Sequence, residues 1–427
     1  MVHIHGMFAY QAVVIPLLRL TLAALMPFHK KVRLRRTSER TLLLAAADRL
    51  AIESRPRVMF HAASMGELEQ LLPIIELLRE SVEHICVVAT CSSPSGLSHA
   101  QKQSCIDHAL YLPIDSKRSI HDFFDVIQPS LVVIDRYDVW PACIVELAQR
   151  NVPVVLVNAT LPSASKLPLI GAFVRSTYRL LTSVTAVTES DATDLSTLIN
   201  HRVTWLPDTR MDRVLQRVEA SRGRPSLLPP WSGNTLVIGS SWPEDEKLLL
   251  HAWTSSMPEN WRLVIVPHEP RESTMQSIER MIPCQRLSQI STGETHHSTQ
   301  HILVDRVGVL LELYASATAA FVGGGFGAGV HSMAEPAGFG LPIACGPRIQ
   351  RSRDAAPLVD AGAATVLQTP QDAQAWLSSI QDVSFRTTAA QASYAWVAER
   401  AGSSRRYVDL LRTLLPAATS SNDRECN

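Results

Sequence analysis

From Arg57 onward the chain alternates short β-branched runs with longer amphipathic stretches, and beyond a proline-rich break it does so again. The first series reads VMFHAA, ELEQLLPIIELLRE, HICVVATC, SLVVID, WPACIVELAQR and VPVVLVNA. Repeats of strand and helix in this order predict a parallel sheet covered by helices on both faces. Such units take right-handed crossovers and leave the carboxyl ends of the strands for ligands. In this half those ends carry His61 to Glu67, Thr90 to Gly96, Asp135 to Trp140 and Asn158 to Ser165. The break, residues 213–233, contains RPSLLPPWSG and predicts a linker. The second series begins at TLVIGSS and runs through RLVIVPHE, HILVD, TAAFVGGG, LPIACG and ATVL.

A length of 427 residues exceeds what one hydrophobic core holds. The expectation is therefore α/β, with two Rossmann-like domains facing across a cleft. Their bounds are 46–212 and 234–395, followed by a helix and a disordered tail over 396–427, the tail from Ser420. With 46% apolar and 19% charged residues and no low-complexity run, the bulk is an ordered globular protein. Forty basic and forty acidic residues cancel, which removes the electrostatic footprint of a nucleic-acid binder. The seven cysteines are scattered without metal-ligand spacing and read as reduced thiols of a cytosolic compartment.

Residues 1–45 stand apart as a membrane anchor with a basic flank. Phe8 to Phe28 is apolar apart from Gln11 and Arg19, and Lys30, Lys31, Arg33, Arg35 and Arg36 follow. About 20 apolar residues reach across a bilayer as a helix. Arg19 near the middle costs roughly 2.5 to 3.5 kcal/mol, and Pro16 adds a kink, so spanning and lying on the membrane both stay open. A cleaved secretory signal fits poorly, because the basic cluster follows the apolar stretch. That cluster places the rest of the chain on the cytoplasmic side, beside anionic headgroups.

Four segments carry candidate chemistry. In HAASMGE a strand gives way to a helix, with small residues and Gly66 allowing a tight turn. Glu67 falls in the first helical turn, either as a capping carboxylate or as a base that takes a proton from an attacking hydroxyl. The stretch Gly323 to Gly329 follows a strand, where bare backbone lets a phosphate approach amide donors. Glu335 lies four residues beyond His331, on one helical face, suited either to ribose hydroxyls or to plain solvation. Ser241, in GSSWPEDE, and His268, in VPHEP, end strands in settings that serve capping or structure as readily as ligand contact. No DxD pair, metal-ligand cluster or GxSxG elbow is present, so metal-free chemistry without a cofactor is the default.

At these residues the sequence resembles the Kdo transferases of lipopolysaccharide synthesis, glycosyltransferase family 30. The motifs HAASMGE, TCSSPSG, YLPID, DRYDVWP, VLVNAT, DTRMDRV, GSSWPEDE, VPHEP and GGGFGAGVHSMAEPAGFGLPIACGP run in family order over nearly the whole chain. The resemblance implies a GT-B fold and metal-independent, inverting transfer of Kdo from CMP-Kdo to a lipid A precursor, lipid IVA, at the cytoplasmic face of the inner membrane. It implies an acceptor-binding N-terminal domain and a CMP-sugar-binding C-terminal domain. Glu67 then matches the general base, and Asp138 a second catalytic position. Ser64, Gly66, Arg210, Ser241, His268, Gly324, Gly325, Gly327, Gly329, His331, Ser332 and Glu335 match substrate-binding positions. Asp138 stands where many members have Glu, Ser332 where Asn is common and His268 where many have Arg, which marks a divergent branch. A GT-B enzyme using a UDP-sugar, or an inactive membrane-bound scaffold of the same fold, are the alternatives.

Overall fold

The computed structural model describes residues 2–160, 168–199, 202–256, 260–290, 301–350 and 352–416, so the tail from Ser420 and part of the loop after Asn158 lie outside it. The chain divides into two compact units, Met1–Arg213 with Gly402–Asn427, and Val214–Ala401.

In the first unit the strands are β1 (Arg57–Ala62), β2 (Cys86–Cys91), β3 (His108–Tyr111), β4 (Leu131–Asp135), β5 (Val154–Ala159), β6 (Ser183–Ala186) and β7 (Thr204–Trp205). They form one sheet in the order β3-β2-β1-β4-β5-β6-β7, with every neighbouring pair parallel. Because side chains alternate along a strand, Val58, Phe60 and Ala62 enter one apolar layer and Met59 the other. Helix Met65–Ser81 covers the first layer with Leu68, Leu71 and Ile75. The last helix, Ser403–Leu414, returns to the same layer and buries Tyr407, Val408 and Leu411. Asp212 caps its start by accepting from the Ser404 amide at 2.9 Å and hydroxyl at 2.8 Å.

At the N-terminus, Gly6–Leu25 is a 20-residue helical stretch of mean hydropathy 1.7, long and apolar enough to cross a membrane. The disruption expected at Pro16 takes the form of one π-helical turn, Tyr10–Val14, just ahead of it. Proline offers no N–H to the preceding turn and crowds its carbonyl, and a wider turn relieves both. Gln11 and Arg19 face the sheet unit. The Gln11 amide donates to the Asp115 carbonyl at 2.9 Å and accepts from the Lys117 amide at 3.0 Å. Arg19 donates to the hydroxyls of Ser116 at 2.7 Å and Ser119 at 3.2 Å. Helix Lys30–Ala51 follows and buries Ala46 and Leu50 in the Met59 layer.

The second unit holds β8 (Asn234–Ser241), β9 (Trp261–Pro267), β10 (Cys284–Arg286), β11 (His301–Leu303), β12 (Ala319–Val322), β13 (Ile343–Cys345) and β14 (Ala364–Val366). Its all-parallel order is β10-β11-β9-β8-β12-β13-β14. Helix Arg210–Arg222 occupies the first half of the stretch expected as a linker. No proline interrupts it before Pro225, and Val214 and Val218, one helical turn apart, are buried. The chain turns irregular only after Arg222.

Candidate active site

In an open parallel sheet the ligand crevice opens where the strand order reverses. In the first unit that point lies between β1 and β4, since the chain builds outward through β2 and β3 and then returns beside β1. The segments leaving these two strands are Ala63 to Glu67 and Arg136 to Asp138, so two of the sequence candidates meet here.

Ser64 caps helix Met65–Ser81, and Glu67 closes a reciprocal capping box with it. Glu67 Oε2 accepts from the amides of Ala63 at 2.6 Å and Ser64 at 3.2 Å, while the Glu67 amide donates to Ser64 Oγ at 3.3 Å. Capping and catalysis are not exclusive here, because the same two bonds aim the carboxylate. Burial raises the Glu67 carboxyl above its ordinary range, the Ala63 amide opposes this, and the like charge of Asp138 adds to it. Gly66 does not make the tight turn expected of it. It is the second residue of the helix, and a Cβ there would meet only Ser64 Oγ at 4.0 Å. The glycine in tighter surroundings is Gly96, whose Cβ would lie 3.3 Å from the Met65 amide nitrogen and 3.0 Å from Ser93 Oγ.

Asp138 is held by His61, which the motif HAASMGE contains but which was not singled out as a site residue. His61 Nε2 lies 2.7 Å from Asp138 Oδ2, and its Nδ1 lies 2.9 Å from Thr90 Oγ1. Ser92 Oγ adds a longer bond to Asp138 at 3.4 Å. Burial pushes the Asp138 carboxyl up, but hydrogen bonding and charge from His61 outweigh it and hold the group below the usual range. Beneath lies Asp135, fully buried, where desolvation drives its carboxyl far above the ordinary range against an Asn158 amide donor at 2.8 Å. Arg210 heads its helix. Its amide donates to Asp208 Oδ1 at 2.9 Å, and Asp208 also faces Arg136 at 3.9 Å.

In the second unit the order reverses between β8 and β12, where Ser241 to Asp245 and Gly323 to Gly329 emerge. Asp245 Oδ2 ties the two together by accepting from the amides of Trp242 at 2.9 Å and Gly324 at 2.8 Å. A Cβ on Gly323 would lie 2.3 Å from the Ser240 carbonyl oxygen, and one on Gly325 would lie 2.6 Å from Gly346. Gly324 and Gly329 adopt positive φ, +91° and +120°. Much of the stretch is already bonded to itself. The amides of Gly327 and Gly329 both donate to the Gly324 carbonyl at 3.0 Å, and those of Gly323 and His331 to Gly239 and Gly323. The glycines therefore serve close packing first, and the open cradle of amides expected from the sequence is narrower than the motif suggests.

Around the loop, Trp242, His268 and His331 form a stack with ring centroids 4.9 Å and 4.6 Å apart. Trp242 Nε1 donates to His331 Nε2 at 3.3 Å, which requires that nitrogen to be unprotonated. Burial, and then the neighbouring His268, lower the His331 pKa in the same sense. Ser241 Oγ donates to Glu246 Oε1 at 2.8 Å and is buried. Ser332 Oγ donates to buried Asp354 at 2.9 Å. Glu335 pairs with Arg217 at 2.6 Å instead of standing as a solvated charge, and the helix that carries it has only five residues, Ala334–Gly338.

Residues 35–213 match the family model described as 3-deoxy-D-manno-octulosonic-acid transferase (kdotransferase). A 3-deoxy-D-manno-octulosonic acid transferase of Haemophilus influenzae is 26% identical over 386 residues, 84% of this chain and 87% of that one. The protein of the same description from Chlamydophila psittaci is 28% identical over 321 residues, 70% and 72% of the two chains. Among solved structures, UDP-GlcNAc 2-epimerase from Neisseria meningitidis superposes with a TM-score of 0.57 at 15% identity, covering 84% of this chain and 100% of that one. MurG from Acinetobacter baumannii gives 0.50 at 14% identity, covering 84% and 99%. These likenesses show the fold, two Rossmann-like α/β domains of the GT-B type.

Proposed function

Because this chain belongs to the 3-deoxy-D-manno-octulosonic acid (Kdo) transferase family, we propose that it transfers Kdo from CMP-Kdo to a lipid A precursor, with inversion. The observation that carries the reading is the setting of Glu67, a carboxylate with a raised pKa, aimed by two backbone amides at the reversal point of its sheet. An acceptor hydroxyl attacks the anomeric carbon of Kdo while the bond from that carbon to the CMP phosphate oxygen breaks. The hydroxyl proton passes to Glu67, and the bonding pair leaves with CMP. Asp138, fixed by His61, holds its charge beside Glu67 and keeps it basic. As the family resemblance implies, no metal takes part.

The second unit is assigned the donor. Ser241, His268, Gly324, Gly325, Gly327, Gly329, His331 and Ser332 line the reversal point between β8 and β12 or lie beside it, and Glu335 is assigned the ribose while paired to Arg217. Arg210 is assigned a phosphate. We place the enzyme at the cytoplasmic face of the inner membrane, with the Gly6–Leu25 stretch and its basic flank as the attachment.

The test is incubation of purified full-length protein with CMP-Kdo and lipid A precursor, with product mass as the readout and calorimetric titration of CMP against UMP beside it. The expected result is a Kdo-bearing lipid and tighter binding of CMP. Tighter binding of UMP without transfer assigns the chain to a UDP-sugar, and binding of neither nucleotide assigns it to a scaffold.

A further inference from the structure

The first unit contains a cavity of about 560 Å³ between the N-terminal helices and the carboxyl ends of the strands. Arg19, Lys31, Arg35, Arg36 and Arg40 line it, against Glu39 as the one acid among its lining residues. Leu22, Val32 and Ile114 supply an apolar wall. We propose that this cavity binds the phosphate-bearing headgroup of the acceptor lipid, an inference that rests on the transferase reading above.

Three observations converge on it. The first is charge. Five cations around one carboxylate leave a strong positive excess, and burial raises that carboxyl further although Arg35 and Arg36 oppose the rise. Arg35 holds the frame, donating to the carbonyls of Ser92 at 2.9 Å and Leu112 at 2.8 Å. Lys31, Arg36 and Arg40 are exposed at the cavity, where a phosphate dianion meets them with charge-assisted bonds.

The second is depth. Gln11 and Arg19 lie about 12 Å apart along the helix by its rise per residue. Both bond to residues 115–119 of the sheet unit. A helix crossing the hydrocarbon layer would carry Asp115, Ser116, Lys117 and Ser119 into it. Lying in the interfacial plane, it turns Phe8, Val13, Leu17 and Leu20 outward to acyl chains, and all four are exposed. Arg19 then reaches headgroup depth instead of the bilayer centre, and the cavity opens where lipid phosphates lie.

The third is connection to the site. Ser92 lines the cavity and also bonds Asp138 through its hydroxyl at 3.4 Å. The cavity thus shares Ser92 with the carboxylates at the β1 and β4 ends, which joins a headgroup held there to the site.

The experiment uses the full-length protein in neutral detergent micelles, comparing wild type, the double variant Arg36→Ala/Arg40→Ala, and Arg405→Ala as an exposed charge-loss control. Rates at saturating CMP-Kdo are followed against phosphorylated and dephosphorylated acceptor. The double variant is expected to raise the KM for phosphorylated acceptor roughly 10- to 30-fold. Its kcat and its KM for CMP-Kdo stay within about twofold, and with dephosphorylated acceptor the gap to wild type closes. An unchanged acceptor KM, or an equal loss with both acceptors, overturns the proposal. So does a loss that appears only in vesicles containing phosphatidylglycerol, which assigns the cations to bulk anionic lipid. Co-sedimentation with phosphorylated acceptor in phosphatidylcholine vesicles reads binding without turnover. Retained, phosphate-dependent binding in a protein that transfers no Kdo upholds the cavity and removes the transferase reading.

Discussion

Two duties meet at Glu67, the observed cap and the proposed base, and two substitutions separate them. Glutamine keeps a carbonyl oxygen where Oε2 stands, able to accept from the Ala63 amide at 2.6 Å and the Ser64 amide at 3.2 Å, so the capping box survives. Alanine removes the acceptor and leaves both amides to water at a half-buried helix start, which costs about 0.5–2 kcal/mol as for other lost caps. In a unit of this size that corresponds to a fall in melting temperature of a few degrees. On activity the two variants converge, since neither holds a base. Loss of general-base assistance predicts a fall in kcat of about 10² to 10⁴ for Glu67→Gln and for Glu67→Ala alike. The assay pairs CMP release at saturating acceptor with urea unfolding of the same preparations. Glutamine with turnover within about tenfold of wild type refutes the base assignment. Glutamine as destabilising as alanine refutes the capping account.

Asp138→Asn removes a like charge beside Glu67. Because the base works only when ionised and its pKa is raised in the fold, activity climbs as pH rises through that value, and the variant moves the acidic limb of kcat/KM to lower pH. A limb that stays or moves upward contradicts the pairing. Gly323→Ala places a methyl 2.3 Å from the Ser240 carbonyl and 2.8 Å from Asp245 Oδ2, forcing backbone apart at a cost of about 1–3 kcal/mol. Weaker CMP binding and a lower urea midpoint are expected, and wild-type values for both sink the packing argument. Tyr407→Phe deprives the buried Asn158 amide of its acceptor at 3.2 Å and lowers stability by about 1–3 kcal/mol in urea melts. A change under about 0.5 kcal/mol would mean that the amide finds another partner.

What the sequence made legible was local. Runs such as VMFHAA and SLVVID are buried on both sides and bounded by turn residues, so their strand character needs no knowledge of their neighbours. The capping box of Ser64 and Glu67 spans three residues and is likewise self-contained. The contacts that define the site are not. His61 reaches Thr90 and Asp138 only because β1 lies between β2 and β4, an order set by the whole sheet. Glu335 meets Arg217 from 118 positions away, and its helical face gave no sign of that partner. The glycine stretch misled in part because composition records where backbone is bare, whereas the bonds its amides already make depend on Asp245, the Gly324 carbonyl and the β8 end. Arg19, a flaw in a spanning segment by hydropathy alone, becomes a fitting once residues 115–119 are beside it.

The return of helix Ser403–Leu414 to the first unit has a consequence for synthesis. The layer that Tyr407, Val408 and Leu411 complete is missing its last members until Val214–Ala401 has been made. At translation rates of about 5–20 residues per second those 188 residues occupy roughly 10–40 s. Throughout that interval the nascent chain presents Leu68, Leu71 and Ile75 with part of their cover absent. Emergence of Ser403–Leu414, not emergence of the first sheet, is the moment at which this unit closes.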